Sequence, residues 1–256
     1  MNIISQILIL VFLVSSTASY AQSSNTVSVT GVGDIMLGTN YPSAGYLPPN
    51  KGKNLMKAAH AILRDADVTF GNLEGTILNK GTMTKNCQKN CYAFRMPEYL
   101  ANNLKNAGFD VLSLANNHIN DFGNKGINNT KADLKKKGIE FAGVFSQSSV
   151  TFEKNGVKYG FAAFAPNKGT VNITDIAKAK KIVRRLARTS NIVIVSFHGG
   201  AEGPKHQHVT RETEYYYGEN RGNVYKFAHA VIDAGADIVF GHGPHVTRAV
   251  EVYKNR

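Results

Sequence analysis

The chain has 256 residues, 43% of them hydrophobic and 19% charged, and a formal net charge of +12. That length supports one sizeable core, and an ordinary globular composition without a convincing repeat, linker or low-complexity stretch argues for a single domain. The positive balance suits acidic partners such as anionic polymers or membrane headgroups, with a generally basic surface as the alternative.

In chain order, residues 1–21 resemble a secretory signal peptide: an apolar core at 7–14, then small residues in Ser19-Tyr20-Ala21. No Lys or Arg precedes the apolar run, and the alternative is an uncleaved anchor, for which the run is short. Cleavage after Ala21 is expected, giving an extracytoplasmic protein in the periplasm, at the cell surface or secreted. The removed segment carries no charge, so the whole +12 stays with the mature chain. Nucleic acid is a poor partner for an exported chain without a binding motif.

Five short apolar runs then end in glycine plus a polar, metal-capable residue. Residues 27–30 lead into Gly31-Val32-Gly33-Asp34, and residues 68–70 into Gly71-Asn72-Leu73-Glu74-Gly75. Residues 111–115 lead into Asn116-Asn117-His118, followed by Asp121 and Gly123. Residues 192–197 lead into His198-Gly199-Gly200-Ala201-Glu202-Gly203, and residues 238–240 into Gly241-His242-Gly243-Pro244-His245. Each run reads as a buried strand with functional groups at its carboxyl end, where ligands gather in open α/β sheets. Further strands are expected over 139–144 and 158–165, and another begins at 249–253.

Helices are expected over 55–64, 99–107, 130–137, 176–188 and 224–234. In the fourth, Ile176, Ala179, Ile182, Val183 and Leu186 form one face while Lys180, Lys181, Arg184, Arg185 and Arg188 crowd the others. That basic side reads as a solvated face, with a polyanion-binding face as the alternative. Strands alternating with helices imply an α/β fold with much parallel pairing. Cys87 and Cys91 are the only cysteines. Export favours a disulfide between them, since a zinc site would need two more ligands nearby.

His118, His198, His242 and His245 with Asp34, Glu74 and Glu202 offer imidazoles and carboxylates at like places in the strand pattern. Such a mixed set suits one or two divalent ions, Mn, Zn or Fe. Two ions about 4 Å apart would clamp the attacking and leaving oxygens of a phosphoester displacement.

These motifs, in this order, resemble the CapA family of bacterial capsule and poly-γ-glutamate biosynthesis proteins. The resemblance runs from about residue 27 to the end. That family is similar to calcineurin-like metallophosphoesterases, which implies two packed mixed β-sheets flanked by helices in α/β/β/α layers. It further implies that Asp34, Asn117, His198, His242 and His245 hold metal and that His118 acts on the leaving group. Glu74 joins the expected ligands, while Asn72 and Glu202 line the pocket. Two departures stand out: Met36 replaces a ligand histidine, and Asn72 replaces the carboxylate that bridges two metals. A neutral amide cannot offset two dications.

The resemblance also implies at least one more strand beyond Tyr253, so the expectation is one domain over 22–256 lacking its C-terminal element. Two functions follow. One is an exported, metallophosphoesterase-like hydrolase or transferase acting on an anionic polymer, such as poly-γ-glutamate or capsular polysaccharide, or on a phosphoester. The other is a non-catalytic polymer-binding subunit of a membrane-associated synthesis or export complex.

Overall fold

The computed structural model describes residues 26–86 and 91–256. The expected signal peptide and Cys87 lie outside them. Cys91 is disulfide-bonded. No helix among the described residues is long and apolar enough to cross a membrane.

The first half of the chain runs β1 (Val29–Ile35), α1 (His60–Asp65), β2 (Val68–Leu73), β3 (Thr76–Ile77), β4 (Arg95–Met96), α2 (Asn102–Ala107), β5 (Val111–Ser113), α3 (Gly123–Lys136) and β6 (Glu140–Ala142). The second runs β7 (Ser149–Lys154), β8 (Val157–Phe164), α4 (Ile176–Ala187), β9 (Ile192–His198), β10 (Glu214–Tyr216), β11 (Glu219–Gly222), α5 (Val224–Ile232) and β12 (Ile238–His242). One four-stranded sheet has the order β1-β2-β5-β6 and is parallel throughout. The other has the order β12-β9-β8-β7 and is mixed, with β7 its antiparallel edge.

Three apolar clusters define the layers. Val68, Phe70, Val111, Tyr159, Phe161 and Ile194 fill the space between the two sheets. Leu104, Leu112 and Leu134 pack helices α2 and α3 on the outer face of the first sheet. Ile182, Leu186, Val195 and Phe227 pack α4 and α5 on the outer face of the second. The expected α/β/β/α layering is therefore observed. At its centre Phe70 is fully buried, its ring 5.7 Å from Phe161 and 5.1 Å from Phe240.

Helix limits follow local chemistry. Asp175 caps α4 by accepting from the Lys178 N–H at 3.0 Å, and Asn223 caps α5 through the Lys226 N–H at 2.8 Å. Helix α2 stops at Gly108, whose φ of 91° is left-handed. The segment 55–64, expected as one helix, divides into a 3-10 turn over Lys57–Ala59 and the short α1, and Ile62 faces solvent.

Other expectations are corrected. Strands β7, β10 and β11 carry no clear signal in the sequence pattern. The alternating segment 249–253 forms no strand, because a strand needs a partner edge and none among the described residues pairs with it. Val250 and Val252 stand 95% and 80% exposed, while Tyr253 stacks on His229 of α5 at 3.8 Å.

Candidate metal centre

The two sheets present their carboxyl ends at a shared edge, and strand alternation explains which side chains arrive there. In β2, Val68 and Phe70 point into the layer between the sheets, so Asn72 does as well. In β9, the alternation from Ile194 carries Ser196 and His198 inward, and in β12 that from Phe240 carries His242 inward. Thus the inter-sheet core turns from apolar to polar at its last register positions. His198 and His242 are direct strand partners, as are Asp34 and Asn72.

Asp34 arrives by a different route. The run at 27–30 is expected to end as a strand before it, yet β1 continues to Ile35. Plain alternation from Val29, which faces the inter-sheet core, would turn Asp34 outward. A bulge between Gly31 and Asp34 shifts the register, so that Ile35 packs in the outer core and Asp34 faces the site. Gly31 is needed nearby, because a Cβ there would lie 2.7 Å from the Phe240 ring.

Asp34, Glu74 and His245 each offer a ligand atom, all within 4.8 Å of one another. His245 Nε2 lies 3.5 Å from Asp34 Oδ2 and 4.0 Å from Glu74 Oε2, and its Nδ1 lies 3.7 Å from Glu202 Oε2. His245 has a φ of 54°, an uncommon backbone for a residue with a side chain. His198 Nδ1 sits 3.5 Å from Asp34 Oδ1. Gly243 lets the chain pass over that ring, since a Cβ there would be 2.9 Å from His198 Nε2. His242 lies deeper, with Nε2 2.9 Å from Ser196 Oγ.

Charge is distributed unevenly. Burial raises the Asp34 pKa, but hydrogen bonding and attraction to His198, with help from Asn72 and His242, outweigh it and hold the group at about 2. Glu74 goes the other way, to about 8, through burial and then repulsion from Asp34 and Glu202. Burial also pulls His242 down to about 4 despite the pull of Asp34. The metal-free site therefore holds an ionised Asp34, a protonated Glu74 and a neutral His242 at pH 7.

The donor set fits a divalent ion. Two carboxylates and an imidazole already face one point, and neutral imidazole is the form that ligates. In addition, His198 Nε2, His242 Nδ1 and Asn117 Oδ1 are buried without a hydrogen-bond partner among the described residues. Buried polar atoms are ordinarily paired, so these three electron-pair-bearing atoms are free to serve as ligands. The serine contact on His242 Nε2 would fix the tautomer that leaves Nδ1 free to ligate.

Asn72 is not a ligand in this arrangement. Its amide nitrogen donates to Asp34 Oδ1 at 2.7 Å, and its oxygen accepts from Asn116 at 3.2 Å. An ionised carboxylate can only accept, which fixes the amide orientation. Asn116 is pinned in turn by donating to the Leu73 carbonyl at 2.8 Å. Met36 is also outside the ligand set: its sulfur accepts from the Gly38 N–H at 3.1 Å.

His118 occupies the rim on the β5 side. Its Nε2 is 3.8 Å from Glu74 Oε1, and its Nδ1 is 2.7 Å from Asp121 Oδ2. Phe94 stacks on the ring at 4.1 Å. Burial pushes the His118 pKa below the usual imidazole range, against the opposing effect of Asp121. Lys85 lies 3.2 Å from Asp121 Oδ1. Asp121 stands in the sequence motif without a role of its own, and nothing near Lys85 or Phe94 marks them in the sequence. On the opposite side, buried Arg221 lies 3.2 Å from Glu202 Oε1, setting the carboxylate that faces His245.

Known proteins resemble this chain along most of its length. The capsule biosynthesis protein CapA of Bacillus anthracis is 28% identical over 89% of this chain and 56% of its own length. The PGA biosynthesis protein CapA of Bacillus subtilis (strain 168) is also 28% identical, over 90% of this chain and 60% of its own length. This chain thus spans little more than half the length of either relative. The crystal structure of a hypothetical protein from Thermus thermophilus aligns with a TM-score of 0.48 at 16% identity, covering 89% of this chain and 72% of that one. The model of the bacterial capsule synthesis protein family PGA_cap matches residues 28–256, and this chain belongs to that family.

Proposed function

We propose that this protein serves the synthesis or processing of an anionic surface polymer, such as poly-γ-glutamate or capsular polysaccharide, as a metal-dependent hydrolase or transferase of the polymer or a phosphoester. The observation that carries the reading is the convergence of Asp34, Glu74 and His245 beside unpaired nitrogens of His198 and His242. The names of the curated relatives support the polymer class. A divalent ion, Mn, Zn or Fe, would be held by Asp34, Glu74, His198, His242 and His245, with Asn117 beside them, and would polarise a carbonyl or phosphoryl oxygen.

The protein's own groups would supply the rest. His118 would accept and pass on a proton at Nε2, because Asp121 takes the Nδ1–H and leaves Nε2 bare. Lys85 steadies the Asp121 carboxylate. Glu202, set by Arg221, orients His245. Export through the 1–21 leader would place this chemistry outside the cytoplasm, within reach of a membrane-associated synthesis complex.

One observation favours a second reading, a non-catalytic polymer-binding subunit: Asn72 aims an amide donor where a bridging carboxylate would help to hold a second ion. Purified protein loaded with Mn, Zn or Fe should be assayed on poly-γ-glutamate and on simple phosphoesters. Metal-dependent turnover that His118→Asn lowers by about a hundredfold or more is the expected result. Polymer binding without turnover on either substrate class would favour the second reading.

A further inference from the structure

Helix α4 carries a cationic stripe that the metal centre does not use. Lys178, Lys181, Arg185 and Arg188 recur at the spacing that lines one side of a helix, with Arg184 beside them. All five side chains are exposed, while Ala179, Ile182, Val183 and Leu186 anchor the opposite face in the core. No Asp or Glu lies between Ile176 and Arg188. None of the five cations forms an ion pair among the described residues. Surface cations are ordinarily interspersed with acids, so an unneutralised row concentrates positive potential.

The row also borders a concavity. The five cations, Ile182 and Ser148 line a groove of about 870 Å³ along the helix. Its far wall is the segment before and into β7. Lys178 Nζ lies 5.5 Å from the Phe145 ring centre, and Arg185 donates to Ser149 Oγ at 2.8 Å. The stripe is ~15 Å long at the helical rise, enough for several repeats of an extended chain. It lies on the outer face of the second sheet, whereas His198 and His242 point into the inter-sheet layer.

We propose that the groove along α4 binds a linear polycarboxylate chain at a site separate from the metal centre. The charge supplies attraction, and the guanidinium groups of Arg184, Arg185 and Arg188 can each take a carboxylate in two-point contact. The choice of polycarboxylate rests on the polymer class proposed above; the existence of the anion groove rests on α4 alone. Tethering polymer here would hold a chain near the protein while its end or another segment is free to reach the strand-end pocket.

The test is fluorescence anisotropy with labelled poly-γ-glutamate on the full chain stripped of metal. Wild type should bind, and raising salt from 50 to 500 mM should weaken binding by about tenfold or more. Lys181→Glu with Arg185→Glu should weaken binding by about tenfold at low salt, while Lys135→Glu with Lys136→Glu at exposed positions of α3, an equal charge change, should weaken it less than about twofold. Lys181→Gln with Arg185→Gln, set against Lys135→Gln with Lys136→Gln, gives the same comparison if the reversed pair folds poorly. Asp34→Ala should retain binding. Equal losses from the α3 and α4 pairs would overturn the proposal in favour of net charge. Absence of wild-type binding would overturn it, as would α4-dependent capture of phosphatidylglycerol vesicles without polymer binding. Polymer binding through α4 in a protein with no metal-dependent turnover would keep this inference while removing the hydrolase reading.

Discussion

Asn72 donates to Asp34 at 2.7 Å from the neighbouring strand, so this candidate acidic ligand is held by a neutral amide rather than opposed by a second carboxylate. This contact stabilises the fold, and under the proposed metal-binding role a neutral amide would offer no charge to a second ion. Replacing Asn72 by Asp should remove a charge-assisted hydrogen bond and add repulsion, costing the metal-free protein about 2 kcal/mol. The same substitution should increase stabilisation by Mn. Thermal melts with and without Mn should show a lower starting Tm and a larger upward shift than in wild type. An unchanged metal-free Tm would contradict this role.

The raised pKa of Glu74 makes a signed prediction. The unfolded group loses its proton near 4.5, whereas the folded group retains it to about 8. Between those values the folded state binds more protons, so this group makes metal-free stability fall as pH rises, by at most about 1.4 kcal/mol per pH unit. Glu74→Gln should flatten that decline. Metal binding at pH 7 should expel the proton, giving a heat that changes with the ionisation enthalpy of the buffer. Calorimetry in two buffers should therefore disagree for wild type and agree more closely for Glu74→Gln.

Under the proposed mechanism the His118–Asp121 contact would separate proton handling from metal binding. His118→Asn should leave the metal content near that of wild type and reduce turnover by about a hundredfold or more. Asp121→Asn should weaken control of the ring tautomer and lower turnover with metal retained. Metal analysis alongside steady-state rates checks both variants. Loss of metal in His118→Asn would place this ring among the ligands instead.

Arg248 pairs with buried Glu214 through two contacts of 3.0 Å, and Glu214 also accepts from the Ala201 N–H at 2.8 Å. This joins the loop bearing Glu202 to the segment bearing His245. Arg248→Met should leave a carboxylate buried without its partner and cost about 3 kcal/mol. Urea unfolding should show a lower midpoint. Pairing it with Glu214→Gln should recover part of the loss.

Much of this organisation is legible in the sequence, for physical reasons. Buried strands such as β9 and β12 appear as apolar runs, and their polar ends appear as the abrupt change to His198 and His242. Layering is less direct, and comes from resemblance rather than periodicity. The bulge that turns Asp34 inward is not legible, because Gly31-Val32-Gly33 permits either register and only packing against Phe240 and Asn72 decides it. Lys85 and Arg221 escape a sequence reading because long cations far along the chain carry no local signal of the carboxylates they reach. The strand expected at 249–253 fails for the opposite reason: its alternation is local, but a strand requires a neighbour.

Stoichiometric metal analysis tests the central claim most directly. Purified protein should be stripped, reloaded with Mn, Zn or Fe, desalted and measured for metal per chain, beside Asp34→Ala and His245→Ala. A metal-binding strand-end pocket predicts about one ion per wild-type chain and a loss of most of it in both variants. No retained metal in wild type, or equal retention in all three proteins, would contradict it.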